Sequence, residues 1–397
     1  MCGMPKSGEI IPTIRIRRPG RVDLGVELDD QVRALLATDA PVAIGVSGGK
    51  DSCAAAIAVC EHLDAIGHAG PRILIHSDLG RVEWRDSLST CQRLAKHLGV
   101  ELVVVRRGAG DMMDRWMARW RSSKQRYAEL RCMKLILPWS TPAMRFCTSE
   151  MKSAVIASWL VRRFPGKTIV SAAGIRRQES DRRSCADTTK TNVRLARKSR
   201  GTSGVDWNPI AHWSEDDVFA FAADRAFSLH EGYGRYGMRR ISCVNCIMAD
   251  EADLRSSSKC SDNHAVTREM VELEVTSTFA FQGSRWLGDV QDPAILGEDL
   301  CARLAKAKER ARRRQAVESR IPRHLLYTKG WPTVMPTRAE AEAIAEIRRE
   351  IAAIVDIEVG YTNADTILAR FAELMAENER RGAAKATKTA RRAARVR

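Results

Sequence analysis

No run of apolar residues in this chain approaches the roughly 20 that a membrane-spanning helix needs, so no membrane partner is expected. The first residues, MCGMPKSGEIIPTIRIRRPG, lack the apolar core of a secretory signal, and a cytoplasmic protein is the expectation. Neither of the two familiar glycine-loop spacings, G-x-x-x-x-G-K-[ST] and G-x-G-x-x-G, is present. No internal repeat is apparent. Aromatic residues make up only 6%, so the few that cluster draw attention as packing anchors. The 11 cysteines are odd in number in a long chain with no secretion signal, which argues against a disulfide framework and for free thiols or metal ligands. Acidic residues are missing altogether from the last 18 positions, where Arg380, Arg381, Lys385, Lys388, Arg391, Arg392, Arg395 and Arg397 carry half of the net charge of +16. Such a tail suits nucleic acid, and a solvated terminus explains it equally well.

What is present begins with Val42–Cys60, VAIGVSGGKDSCAAAIAVC. Val42, Ala43, Ile44 and Val46 predict a buried strand, and the alanine-rich stretch after residue 52 predicts a helix. Between them lie Ser47, Gly48, Gly49, Lys50, Asp51 and Ser52. Strand, glycine turn and helix in that order make an anion site. The glycines let the backbone approach a ligand, and the amides of the turn and of the helix start point at negative charge. Ser47 and Ser52 add hydroxyl donors. Asp51 beside a phosphate implies an intervening Mg²⁺.

Further strands are predicted at 72–76, 101–105 and 168–173, with a short helix at 26–40 before the first strand and a helical stretch at 83–98 between the second and third. That alternation implies a parallel α/β sheet with ligands at the carboxyl ends of its strands. Residues 111–165 read as mostly helical, with Trp116, Trp120, Trp139 and Trp159 as packing anchors. Residues 184–206 read as a mobile surface loop. Ser214 with Asp217, and Thr337 with Glu340, read as helix starts. Ile344, Ile347, Ile351 and Ile354 form one apolar stripe. At 397 residues the chain has room for two domains or for one with appendages. The division expected is a basic arm (1–25), an α/β domain (26–260), a helical C-terminal region (261–376) and the basic tail (377–397).

Cys243-Val244-Asn245-Cys246 is a C-x-x-C. Alone it is compatible with zinc, iron–sulfur, redox chemistry or two unrelated thiols.

Taken in order, VSGGKDS (46–52), HSDLGRVEW (76–84), RFCTSEMK (145–152), AGIRRQESDRR (173–183), NPIAHWSEDDVF (208–219) and RRISCVNCIMAD (239–250) resemble the phosphoadenosine phosphosulfate (PAPS) reductase-like branch of the PP-loop ATP pyrophosphatase superfamily. The resemblance implies an adenine nucleotide alpha hydrolase-like, Rossmann-type α/β fold with a cysteine-bearing segment and a helical C-terminal region. It also implies an ATP site at Ser47, Gly48, Gly49, Lys50, Asp51, Ser52, Asp78, Gly174 and Arg176, with Asp51 and Arg176 in catalytic roles. Arg177, Glu179 and Arg183 rank below Arg176. The Cys-Thr-x-x-x-Lys form and the C-x-x-C are similar to the DndC family of DNA phosphorothioation proteins, which couple a PP-loop to an iron–sulfur cluster. By that similarity Cys147, Cys243 and Cys246 are cluster ligands, with Cys260 or else Cys132 as the fourth; the group is [4Fe–4S], with zinc as the alternative. Lys152 is expected at a phosphate or beside the cluster.

The chain departs from sulfonucleotide reductases in having no Glu-Cys-Gly-Leu-His segment; Cys301, the nearest cysteine toward the C-terminus, sits in a helical pattern. The reaction expected is therefore hydrolysis of ATP to AMP and pyrophosphate, activating DNA or another nucleic acid for sulfur modification, with a sulfur-donor protein such as a cysteine desulfurase as partner. PAPS or adenylyl-sulfate reduction, and a non-catalytic ATP-dependent nucleic-acid-binding protein, are the alternatives. His76 and His212 are expected to be packed or hydrogen-bonded rather than catalytic.

Overall fold

The computed structural model describes residues 24–394; the basic arm, apart from its last two residues, and the final three residues of the tail lie outside them. Six strands form one sheet in the order β3-β2-β1-β4-β6-β5. They are β1 (Val42–Val46), β2 (Arg72–Asp78), β3 (Leu102–Arg106), β4 (Thr168–Ala173), β5 (Thr189–Thr191) and β6 (Ser203–Trp207). All neighbours pair in parallel except β5 with β6. The fold is α/β and Rossmann-type, followed by a helical C-terminal region.

Side chains alternate across the sheet as the strand period of two requires. Val42, Ile44 and Val46 of β1 and Leu74 of β2 face one core, with helices α1 (Asp30–Ala37), α2 (Lys50–Ala65) and α3 (Arg85–Leu98). Ala43, Ile73 and Ile75 face the other, against the helix Ala154–Arg163. Ala54, Ala55 and Ala56 of α2 are fully buried; their small side chains let that helix lie close to the sheet.

β1 lies between β2 and β4, so chain direction across the sheet reverses there. In open α/β sheets the crevice at such a switch point is where ligands bind. The turns after β1 and β4 flank it.

A third core joins α4 (Met112–Ala128) to the C-terminal helices. Trp116, Trp120 and Trp139 are buried in it, with the Trp116 and Trp139 rings 5.3 Å apart and edge to face. Trp159 packs, half-buried, on the sheet core instead. Arg348 fastens the C-terminal helices to α4 by donating to the carbonyls of Ala128 (3.1 Å) and Gly360 (2.8 Å). The capping boxes at Ser214–Asp217 and Thr337–Glu340 form as expected, and the isoleucine stripe of Arg338–Val355 is buried.

Residues 111–165 are mostly helical, as expected, with a helix-free stretch at 129–145 that holds Pro138, Pro142 and a positive φ at Leu130. One expectation needs correction. Residues 184–206, expected to be a loop, hold β5 and most of β6, and β6 pairs with β4. The Thr-Lys-Thr and Gly-containing sequences hide these strands. A Cβ at Gly204 would lie 2.5 Å from Leu195 Cδ1, so close packing replaces the side chain a strand signal needs. At the other end, the helix Ala364–Ala394 runs past position 377 without a break.

Candidate active site

The loop after β1 is closed on itself. The Ser47 amide donates to Ser52 Oγ (3.1 Å), and that hydroxyl donates to the Gly49 carbonyl (2.8 Å). Gly48 has φ of +78°, and a Cβ there would sit 2.8 Å from the Ser87 carbonyl oxygen at the start of α3. Glycine is therefore required both by conformation and by space. α2 begins at Lys50 with no side-chain cap, leaving its first turn as a positive pole.

Gly174, at the end of β4, presses on that first turn. A Cβ at 174 would lie 2.4 Å from the Asp51 carbonyl oxygen. This contact brings Arg176 to the loop: its Nε donates to Asp51 Oδ1 at 2.5 Å, and its Nη1 to Gln178 Oε1 at 3.0 Å. The two residues expected to act on ATP are thus paired with each other. A Mg²⁺ on Asp51 would replace the Arg176 contact and free that guanidinium for phosphate oxygens.

Lys50 is buried, with Nζ 2.9 Å from Glu215 Oε1, 3.7 Å from Asp51 Oδ2 and 3.1 Å from the Arg239 carbonyl. The rings of Phe219 and Tyr233 flank it. The Lys50 amide donates to the Tyr233 hydroxyl at 2.9 Å. Glu215 falls inside a stretch that sequence reasoning singled out; Tyr233 belongs to none, and only folding brings it to the loop.

Glu179 positions two arginines: its carboxylate accepts from the Arg176 amide (3.1 Å) and pairs with Arg183. Burial, and then the positive charges of Arg240 and Arg145, hold the Arg183 guanidinium below its ordinary pKa against the pull of Glu179. Arg176 on Asp51, and Arg183 with the positive field of Arg145 and Arg240 around it, make a mouth that favours an anion. Arg145 and Arg240 had not been ranked as site residues. Arg177 faces away and binds Glu27 through both carboxylate oxygens (2.8 and 2.6 Å). That contact, the largest cause, holds Glu27 down at about 2 and ties the segment before α1 to the sheet.

Asp78 ends β2 as expected, but its carboxylate is spent locally. Oδ1 accepts from the Gly80 amide (2.6 Å), and Oδ2 pairs with Arg106. His76 is buried between the Val46 carbonyl (3.0 Å) and Glu83 Oε2 (3.0 Å). Burial opposes its charge, but hydrogen bonds with Cys91 and Glu83 outweigh this and push it up to about 10. A histidine pKa above the unfolded value of about 6.5 contributes stability that is complete below that pH and lost as pH rises through about 10. H76Q is therefore expected to flatten the decline of the urea midpoint between pH 7 and 10; equal declines in variant and parent would refute the ion pair. His212 is half-exposed, 3.3 Å from Glu27.

The cysteine segment docks beside the loop. The Val244 amide donates to the Val82 carbonyl (2.8 Å), joining the C-x-x-C turn to the one-turn helix Gly80–Val82 that follows β2. Burial raises the Cys243 pKa most, Cys246 and Cys147 raise it further, and Lys152 lowers it. Cys246, Cys147 and Lys152 thus all act electrostatically on the Cys243 thiol. Cys260 is buried, and it pushes the Tyr236 hydroxyl pKa up. Cys132 lies near Arg126 and Arg348, under the C-terminal helices. Among the described residues every cysteine is free, and no group of three or more His, Cys, Asp and Glu side chains is arranged so that it could hold a metal ion. Cys147, Cys243 and Cys246 suit a thiophilic group in chemical type but are not preset for a single ion. Cys301 sits half-buried on the helix Glu298–Ser319.

The sequence model for the phosphoadenosine phosphosulfate reductase domain matches residues 41–249. The chain belongs to this family. The matched region holds all six strands, the glycine loop, the arginine mouth and the C-x-x-C turn. No curated protein matches the chain. Among solved structures, the chain is similar to a PAPS reductase from Candida auris in a phosphate complex, at 12% identity over 53% of this chain and 85% of that one, with a TM-score of 0.35. It is also similar to the U34-tRNA thiolase NcsA from Methanococcus maripaludis with its [4Fe-4S] cluster, at 15% identity over 69% and 75% of the two chains, with a TM-score of 0.35.

Proposed function

We propose that this family member is an ATP pyrophosphatase that activates a nucleic-acid acceptor for sulfur modification, in the manner of DndC. The observation that carries the reading is the convergence at the switch point of the Gly48 turn, a helix start whose N-cap Gly49 offers no side chain, and Arg176 on Asp51 with Arg183 held near it by Glu179. This is a receptor for a polyphosphate rather than for one small anion. An acceptor oxygen attacks the α-phosphorus, the bond to the β-phosphate oxygen breaks, and pyrophosphate leaves with that electron pair. The loop amides and Arg176 neutralise the charge that develops on the leaving group. No side chain in the site is placed as an obvious general base, and an acceptor that is already anionic needs none. Asp51 is the residue that would hold Mg²⁺, which supplies further neutralisation when bound.

Cys147, Cys243 and Cys246 are the residues that would hold a [4Fe–4S] cluster, with Cys260 proposed as the fourth ligand. Such a group supplies sulfur or electrons when bound. Lys152 balances the thiolate charge. A sulfur-donor protein completes the scheme.

The test is pyrophosphate release from ATP by the purified protein. Tight ATP binding with no pyrophosphate formed would leave only a structural nucleotide, and thioredoxin-dependent sulfite from PAPS would replace the reading with a reductase. A separate measurement addresses the thiols. Anaerobically purified protein is expected to contain iron and acid-labile sulfide and to absorb in the visible, and C243S to lose most of all three. A colourless protein with stoichiometric zinc would put the alternative metal there.

A further inference from the structure

A second basic feature lies outside the nucleotide site. Four half-buried arginines, Arg107, Arg115, Arg119 and Arg126, line a groove of about 330 Å³, in which Glu150 is the only acidic lining residue among those described. Arg115 engages Glu150 through two bonds (2.7 and 2.9 Å). Arg119 is held by the Leu137 carbonyl (2.9 Å). Burial, then Arg115 and Arg126, lower the Arg119 pKa. One carboxylate does not neutralise four guanidinium groups. Arg115 to Arg126 spans 11 residues of α4, about 16 Å at the helical rise, longer than a single phosphate or sulfate.

The groove opens at one end into a more apolar cavity of about 530 Å³ that shares Arg119, Arg126 and Ile136 with it and reaches Met144 and Tyr327. Tyr327 is 68% exposed, an uncommon setting for so large a ring. Arg115 and Arg119 also stack on the Phe146 ring at 4.5 and 5.2 Å. Cys147 is the next residue, and Glu150 follows one turn later. The arginine track therefore leads to the cysteine-bearing turn.

We infer that this groove binds the phosphodiester backbone of a single-stranded nucleic acid and directs it toward Cys147, with Tyr327 as a stacking platform for a base. The inference rests on the proposed function for the acceptor's class; the groove's location and its single-strand character come from its own geometry. Evenly spread arginines track a backbone, and an exposed aromatic ring serves single-stranded bases, which a duplex keeps stacked internally.

The test uses the full chain and fluorescently labelled oligonucleotides of equal length: single-stranded DNA, single-stranded RNA and duplex DNA. Anisotropy titrations run across a salt series. R107E/R126E is expected to weaken single-strand binding by about tenfold or more and to reduce the slope of log affinity against log salt by about one per arginine replaced. R119Q, which keeps a hydrogen-bonding side chain, guards against misfolding of the double variant and is expected to weaken binding about threefold. Y327A is expected to weaken single-strand binding about fivefold and duplex binding hardly at all. R162E/R197E, in a separate basic cavity beside the helix Ala154–Arg163, is expected to stay within about twofold of the parent on the same scale. Tighter binding of either single strand than of duplex supports the inference. Parent-like affinity and salt slope in R107E/R126E and R119Q, with the parent binding normally, would overturn the groove and leave the nucleic-acid acceptor standing. Absence of binding by the parent would remove both, whatever the pyrophosphate assay shows.

Discussion

The S47A/D51A double variant is expected to release pyrophosphate from ATP at least ~100-fold more slowly than the parent, the scale of losing positioned charge stabilisation. Ser47 belongs to the closed turn, and Asp51 is both the proposed Mg²⁺ contact and the partner of Arg176 at 2.5 Å. Stability confounds this variant, because Arg176 is only 5% exposed and loses its counter-charge. Breaking such a buried pair costs about 3 kcal/mol. Removing the arginine as well separates the two effects. D51A/R176M leaves no stranded charge and is expected to recover much of the melting temperature lost in D51A, but none of the activity. Recovered activity in D51A/R176M would show that neither residue acts on ATP. R176K keeps the charge without the planar fork and is expected to fall between parent and R176M.

The second large effect is expected at Gly174. A methyl group there meets the backbone of Asp51, with its oxygen at 2.4 Å and its carbonyl carbon at 2.6 Å. Backbone cannot swing aside as a side chain can. G174A is therefore expected to cost about 3 kcal/mol by overpacking and to push β4 away from the first turn of α2. ATP affinity is expected to fall with it, since Arg176 rides on that turn. G234A is the matched comparison: nothing lies within 4 Å of a Cβ at 234, and a change within about 0.5 kcal/mol of the parent is expected. Equal melting temperatures for G174A and the parent, by calorimetry, would mean that the close approach of β4 and α2 does not exist in solution.

Local patterns in the sequence made the central part of the fold legible. β1, β2, β3 and β4 carry dense apolar runs, and the loop residues follow one of them directly. Caps such as Thr337–Glu340 and the buried isoleucine stripe are equally local. β5 and β6 were not legible, because polar threonines and Gly204 remove the apolar signal, and the sheet supplies through pairing what the residues do not advertise. The site divides the same way. Arg176 and the glycines could be placed from the order of segments, whereas Tyr233, 183 positions from Lys50 in sequence, reaches the loop only through tertiary structure. Asp78 shows the converse: a residue at the right strand end whose carboxylate is engaged by the Gly80 amide and Arg106.

The segment 239–246 touches both halves of the proposed site: the Arg239 carbonyl accepts from Lys50 Nζ, and the Val244 amide donates to Val82 in the turn after β2. Should the loop bind ATP and the thiols a metal, as proposed, this segment would couple the two. Whatever factor ATP contributes to metal retention, the metal must return to ATP affinity, because coupling free energy is reciprocal.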